Sequence, residues 1–176
     1  MRRYIALLRG INIGGRHLLP MRELVEIFEK LGCREVKTYI QSGNVVFVDS
    51  GREKTSIGGI LAAEILERYG FEPAVMVLDE AQLQQAIDGN PFPTETGKFL
   101  HFFFLDSEPA EPDLTALATV KTETEEYRLD GTVFYLYAPD GVARSKLFKR
   151  IEPCLGVPVT ARNWNTVSKL AELVRE

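Results

Sequence analysis

The sequence predicts an α+β fold made of two ferredoxin-like βαββαβ halves, in which mainly antiparallel sheets carry helices on one face. Two observations support this prediction. The order strand, helix, strand, strand, helix, strand occurs once over residues 1–78 and again over residues 99–176, with a helical connector at 79–98. The apolar share of 45% is ordinary for a globular chain that can bury a core.

In the first half, the apolar run 3–8 ends at Gly10 and predicts a buried strand. Residues 20–32 are predicted to form an amphipathic helix, since apolar side chains recur at helical spacing, namely Met21, Leu24, Val25, Phe28 and Leu31. The β-rich runs 36–40 and 45–48 flank a turn in which Gly43 and Asn44 are available for positive φ. A helix at 54–69 and a strand at 73–78 complete this half.

The second half is preceded by a helix that begins at Asp79, with Gln82 placed as in a capping box. Strands are predicted at 99–105, 125–129, 133–137 and 157–160, the middle two joined across Asp130 and Gly131. Three further helices are predicted: a short one after Pro112 with Leu114 and Leu117 inward, one at 145–152 ended by Pro153, and one at 166–174 capped by Asn165 or Thr166.

The net charge of −4 is unevenly distributed along the chain. Residues 1–78 carry a net charge of +2, residues 79–140 carry −10, and residues 141–176 carry +4. The middle segment is therefore an unfavourable surface for nucleic acid or an anionic membrane, whereas the two ends could share a basic face.

Several features favour a cytoplasmic protein that does not contact a membrane. No apolar run approaches the ~18 residues of a membrane span, and the run after Arg3 ends at Arg9, too early for a signal peptide. Cys33 and Cys154 are not a close-spaced pair, which is typical of a reduced cytosolic chain. The oligomeric state stays open.

The candidate site is a glycine-rich, basic loop at residues 9–16 together with the turn at 41–44, which we call the crown. In the predicted topology the first two strands are parallel, so that the two segments leave the sheet at the same end. Ligand-binding candidates are Arg9, Asn12, Gly14, Gly15 and Arg16 in the loop and Gln41, Ser42 and Asn44 in the turn. The glycine spacing differs from that of dinucleotide-binding and Walker loops.

Several stretches together resemble the bacterial domain of unknown function 1697 family. They are LLRGINIGG at 7–15 with Met21 and Leu24 behind it, TYIQSGNVVF at 38–47, Gly141 with Ser145, Lys146 and Leu147, and TARNWNTVSKLAEL at 160–173. The resemblance implies an α+β fold of ferredoxin-like character in a cytosolic protein, and it implies no activity.

The leading hypothesis is a binding protein for an anionic, phosphate-bearing ligand, either a nucleotide or other small molecule or an RNA backbone, with no cofactor and no metal. Neither His17 nor His101 has a second ligand at metal-binding spacing. One alternative is an enzyme of unknown reaction in which His17 assists Ser42 at the crown. Another is a protein–protein interaction module. The roles of the basic segment 144–146 and of 162–164 stay open, although a lone tryptophan such as Trp164 more often anchors a helix to the core.

Overall fold

The structure is a computed structural model that describes residues 1–176. Its strands are β1 (Arg2–Arg9), β2 (Arg34–Tyr39), β3 (Asn44–Asp49), β4 (Ala74–Asp79), β5 (Leu100–Leu105), β6 (Glu126–Asp130), β7 (Val133–Tyr137) and β8 (Val159–Asn163). Its helices are α1 (Met21–Lys30), α2 (Lys54–Tyr69), α3 (Glu80–Asp88), α4 (Leu114–Val120), α5 (Lys146–Leu155) and α6 (Trp164–Arg175). The predicted α+β class with two successive βαββαβ arrangements is confirmed.

The chain divides into two compact units. The first contains residues 1–85 and 168–176, and the second contains residues 86–167. Each unit holds one four-stranded sheet in which all neighbouring strands are antiparallel, with the order β2-β3-β1-β4 in the first and β6-β7-β5-β8 in the second.

In the first unit, β1 is an inner strand that pairs with β3 and β4, and its residues Tyr4–Leu8 are almost completely buried. Apolar residues of two helices cover one face of the sheet, namely Leu24, Ile27 and Phe28 of α1 and Ile57, Leu61 and Ile65 of α2. Both helices follow the predicted spacing, and each is followed by a glycine at positive φ, Gly32 at +85° and Gly70 at +74°. Since β3 is antiparallel to both β1 and β2, β1 and β2 are parallel and end at the same edge.

The second unit is organised by β5, which is buried on both faces. Phe103 and Leu105 pack with Phe134, Leu147 and Ile151 in one core cluster. On the other face, Phe102 makes an edge contact with Tyr135 at a centroid distance of 5.1 Å and stacks on Trp164 at 5.8 Å. Trp164 therefore anchors the start of α6 to the sheet.

The helix start predicted at Asp79 agrees with the structure, whereas the predicted end of α5 is wrong. The Asp79 carboxylate accepts the Gln82 N–H at 2.8 Å, and the Gln82 side chain accepts the Asp79 N–H at 3.1 Å. Helix α5 continues through Pro153, because a proline near the helix end removes only one hydrogen bond while Cys154 and Leu155 are buried.

Helix α6 begins at Trp164 rather than at Thr166, and its cap is neither Asn165 nor Thr166. The Asn163 side chain accepts the Thr166 N–H at 3.1 Å, which places the cap at the last residue of β8. In the β6–β7 hairpin, Asp130 pairs with Val133 as a strand residue, so that the turn is formed by Gly131 and Thr132.

The short helix α4 departs from the prediction in its apolar face. Asp113 caps it by accepting the Ala116 N–H, and Leu117 is fully buried. Leu114 is 40% exposed instead of facing inward, because a helix of seven residues turns few positions toward the core.

The two adjacent glycines of α2 offer a matched test of helix–sheet packing. A Cβ added at Gly58 would lie 2.8 Å from the Val75 carbonyl oxygen of β4, whereas one added at Gly59 would meet no atom within 4 Å. We expect Gly58→Ala to lower the free energy of unfolding by about 1–3 kcal/mol through overpacking. Gly59→Ala should raise it by about 0.5–1 kcal/mol through helix propensity. Urea unfolding measures both, and a stabilising Gly58→Ala would contradict the close approach.

His101 of β5 makes the second unit sensitive to pH. Its Nε2 atom is buried without a hydrogen-bond partner, and burial lowers the pKa of the imidazole below its ordinary value of 6.5. The unfolded chain therefore binds a proton before the folded chain does, and stability should fall as the pH drops from about 7 to about 5. The thermal midpoint of His101→Asn should fall less over this range than that of the wild type. Equal slopes for both proteins would contradict this assignment, and His17→Ala is the control for the other histidine.

Candidate functional site

The glycine-rich part of the crown is a miniature hairpin. The Arg16 N–H donates to the Ile13 carbonyl at 2.9 Å, and the Asn12 N–H donates to the His17 carbonyl at 3.0 Å. The two residues between Ile13 and Arg16 are Gly14 at φ +57° and Gly15 at φ +74°. Positive φ at both central positions is the requirement of a type I′ turn, so that glycine is needed here for the turn itself.

Asn12 fastens this hairpin to the neighbouring turn. Its side-chain amide donates to the Leu19 carbonyl and to the Gln41 carbonyl, both at 2.9 Å, and its Oδ1 accepts the Leu19 N–H at 2.8 Å. The two crown segments are thus joined, and the predicted meeting of residues 9–16 and 41–44 at one end of the sheet is confirmed. Both amide hydrogens of Asn12 are used internally, which gives this candidate residue a positioning task.

The turn at 41–44 approaches β1 closely. The Leu8 N–H donates to the Gly43 carbonyl at 2.8 Å, and a Cβ added at Gly43 would lie 2.7 Å from the Cβ of Leu8. Gly43 has φ +78°, whereas Asn44 belongs to β3 and does not have positive φ. The second left-handed residue of the turn is Ile40 at φ +49°, a conformation that a β-branched side chain rarely adopts.

Two further candidate residues stabilise the turn from inside. Asn44 is fully buried, and its amide donates to the Tyr39 carbonyl at 3.1 Å and to the Ser42 hydroxyl at 2.9 Å. A buried amide with both hydrogens engaged has little to offer a ligand in solvent. Ser42, which is half-buried, is positioned by the same contact.

The outward face of the crown combines cationic, amide and apolar groups. Arg9, Arg16 and Gln41 are exposed, and the Arg16 and Gln41 side chains make no hydrogen bond or ion pair within the chain. The N–H groups of Gly14 and Gly15 at the hairpin tip make no backbone hydrogen bond. The predicted site residues that face solvent are therefore Arg9, Gly14, Gly15, Arg16 and Gln41.

Three exposed aliphatic side chains of the crown and its flanks did not enter the sequence prediction. They are Ile13, which is 65% exposed, Leu18 at 62% and Ile40 at 51%. Their signal in the sequence is weak, because an apolar residue beside a turn is indistinguishable from one that packs inward until the strand register is known. Together they place apolar surface beside Arg16 and Gln41.

His17 is held against the loop that precedes β4. Its ring stacks on Phe71 with a centroid distance of 4.5 Å and an interplanar angle of 14°, and its Nδ1 lies 2.9 Å from the Gly10 carbonyl oxygen. The His17 ring and the Ser42 hydroxyl thus have different partners, and no hydrogen bond joins them as a nucleophile and its base. No three His, Cys, Asp or Glu side chains converge as a metal site requires.

Comparison with known proteins places this architecture in a family. Residues 1–135 match the family described as Protein of unknown function (DUF1697). The chain belongs to this family. The matched region of this DUF1697 protein includes β1 through β6 and the start of β7, and therefore the entire crown.

A solved structure shares the fold over nearly the whole chain. It is described as the structure of conserved bacterial protein SP0830 from Streptococcus pneumoniae, and it matches with a TM-score of 0.77 and 22% sequence identity. The match covers 98% of each chain, and at this identity it shows the fold alone. No curated protein matches the chain. None of its helices combines the length and hydropathy needed to span a membrane.

The Asn12 side chain can be tested as the element that positions the crown. Asn12→Ala removes three hydrogen bonds and places alanine at φ +53°, so that we expect the free energy of unfolding to fall by about 2–4 kcal/mol. Gln41→Ala is the matched control, because only the backbone of Gln41 takes part in these bonds. Urea unfolding separates the two variants, and a near-neutral Asn12→Ala would show that the loop is held in some other way.

Proposed function

We propose that this chain is a binding protein whose crown contacts an anionic polymer that carries exposed rings, with single-stranded RNA as the best match. The observation that carries the proposal is the Arg16 guanidinium, which has no partner within the chain and adjoins the open N–H groups of Gly14 and Gly15. Guanidinium forks and exposed backbone N–H groups are the donors that proteins use for phosphate.

The shape of the crown favours a polymer over a small enclosed ligand. A Cβ added at Gly10, Gly14 or Gly15 would meet no atom within 4 Å, which indicates that the hairpin projects outward. The exposed aliphatic side chains Ile13 and Ile40 lie on two separate segments of this surface. An extended chain with repeated phosphates and flat bases could touch both segments, and the stacked His17 and Phe71 rings offer it an aromatic platform.

The crown is also preorganised for binding. Asn12 and Gly43 join its two segments through hydrogen bonds of 2.8–2.9 Å to neighbouring backbone. A surface that is already ordered loses little conformational entropy on association, so that more of the contact energy appears as affinity.

A cytoplasmic location is part of this proposal. Cys33 and Cys154 are both buried and unpaired. Unpaired thiols are typical of chains that work in a reducing compartment.

The second candidate is a protein partner. Exposed apolar surface beside arginine is typical of protein interfaces, and Ile13, Leu18 and Ile40 supply exposed apolar side chains in and beside the crown. This alternative predicts binding that responds to Leu18→Ser more than to Arg16→Ala and that depends weakly on salt.

Fluorescence polarisation with a labelled single-stranded RNA tests the first candidate. Arg16→Ala should weaken binding and reduce the slope of log affinity against log salt by about 0.7, the value for one phosphate contact on a single strand. Arg22→Ala is the control, because Arg22 is a 90% exposed arginine of α1 that pairs with Glu26 and is not part of the crown. Equal affinities and slopes for both variants would remove the crown as the RNA site.

A further inference from the structure

A groove of about 780 Å³ lies in the first unit at the end of the sheet opposite to the crown. It is lined by the start of β1, the end of β4, the start of α3 and the end of α6, through Arg2, Arg3, Asp79, Glu80, Gln84 and Arg175 among others. Its volume is within the range of roughly 300–1,000 Å³ that small-molecule sites occupy.

Three arginines of the groove differ in how they are held. Arg3 is fixed, since it donates to the Val174 carbonyl at 3.0 Å and to the Glu35 carboxylate at 2.8 Å. Arg175 is exposed and donates to the side-chain oxygen of Gln84 in α3. The Arg2 side chain is exposed and makes no hydrogen bond or ion pair within the chain. The groove therefore contains one guanidinium whose charge is paired with Glu35, one that is bound to Gln84, and one, that of Arg2, which is available to a ligand.

The two carboxylates of the groove differ in whether their negative charge is already paired within the chain. Asp79 pairs with Lys54 at 2.7 Å and also caps α3, so that its charge is compensated from within the fold. The Glu80 side chain is exposed and makes no ion pair or hydrogen bond within the chain. Its carboxylate accepts no hydrogen bond within the chain and can therefore accept one from a hydroxyl group of a ligand.

We propose that this groove binds a small phosphate monoester that carries neighbouring hydroxyl groups, such as a sugar phosphate or the sugar-phosphate part of a nucleotide. Arg2 and Arg175 hold the phosphate, since a planar guanidinium fork matches two oxyanion oxygens. Glu80 accepts from a hydroxyl of the same molecule and sets its orientation. The site is separate from the crown and does not depend on RNA binding there.

Isothermal titration with ribose 5-phosphate, inorganic phosphate and ribose tests this assignment. The wild type should bind ribose 5-phosphate in a saturable manner, inorganic phosphate more weakly, and ribose not measurably. The affinity for ribose 5-phosphate should fall by about tenfold or more in Arg2→Ala and in the double variant Arg2→Ala/Arg175→Ala, which is the loss expected when a charge-assisted hydrogen bond is removed. Glu80→Gln should lower the affinity for ribose 5-phosphate but leave the affinity for inorganic phosphate unchanged.

Two controls separate this site from the crown and from loss of fold. Arg16→Ala and Arg22→Ala should bind ribose 5-phosphate as the wild type does, and all variants should keep the wild-type circular dichroism spectrum. Absence of saturable ribose 5-phosphate binding to the wild type overturns the proposal, as does binding that survives the double arginine variant. Loss of binding in Arg16→Ala alone would move the phosphate site to the crown and overturn it equally.

Discussion

The side-chain amide of Asn12 is the interaction on which the geometry of the crown depends. Its three hydrogen bonds tie the hairpin after β1 to the turn before β3, two segments that are separated in the sequence by α1 and β2. Gly43 completes this junction, because only a residue without a Cβ can bring its backbone so near to Leu8. Asparagine suits position 12 further, since its short polar side chain tolerates the left-handed backbone found there.

Backbone strain in the chain is concentrated at this junction. Four residues other than glycine have positive φ, and Asn12, His17 and Ile40 lie in or beside the crown. For His17 and Ile40 such a conformation costs of order 1–3 kcal/mol and persists only when the surroundings fix it. For His17 the surroundings are the Gly10 carbonyl and the Phe71 ring. Strain that the fold maintains on an exposed surface is consistent with a surface kept for binding, and this supports the proposed role of the crown.

The sequence was sufficient to predict the element order, the helical faces of α1 and α2, and the meeting of two distant loops, because these follow from periodicity and from the topology of a βαββαβ unit. It could not separate residues that build the crown from residues that face solvent. Asn44 and Gln41 are both amides of one turn, yet the strand register buries the first and exposes the second. The predicted end of α5 at Pro153 was also wrong. The proline removes one local hydrogen bond, whereas the burial of Leu155, which favours a longer helix, depends on tertiary packing that the sequence does not reveal.

The composition of β1 separates the two proposed sites. Tyr4–Leu8 are buried, so that the arginines of this strand can occupy only its ends, Arg2 and Arg3 at the groove and Arg9 at the crown. At about 3.4 Å per residue, the seven steps from Arg2 to Arg9 span about 24 Å. This exceeds the Debye length of about 8 Å at physiological salt, and the charges at the two ends are therefore largely screened from each other. Any influence of one site on the other must then pass through the packed strand itself.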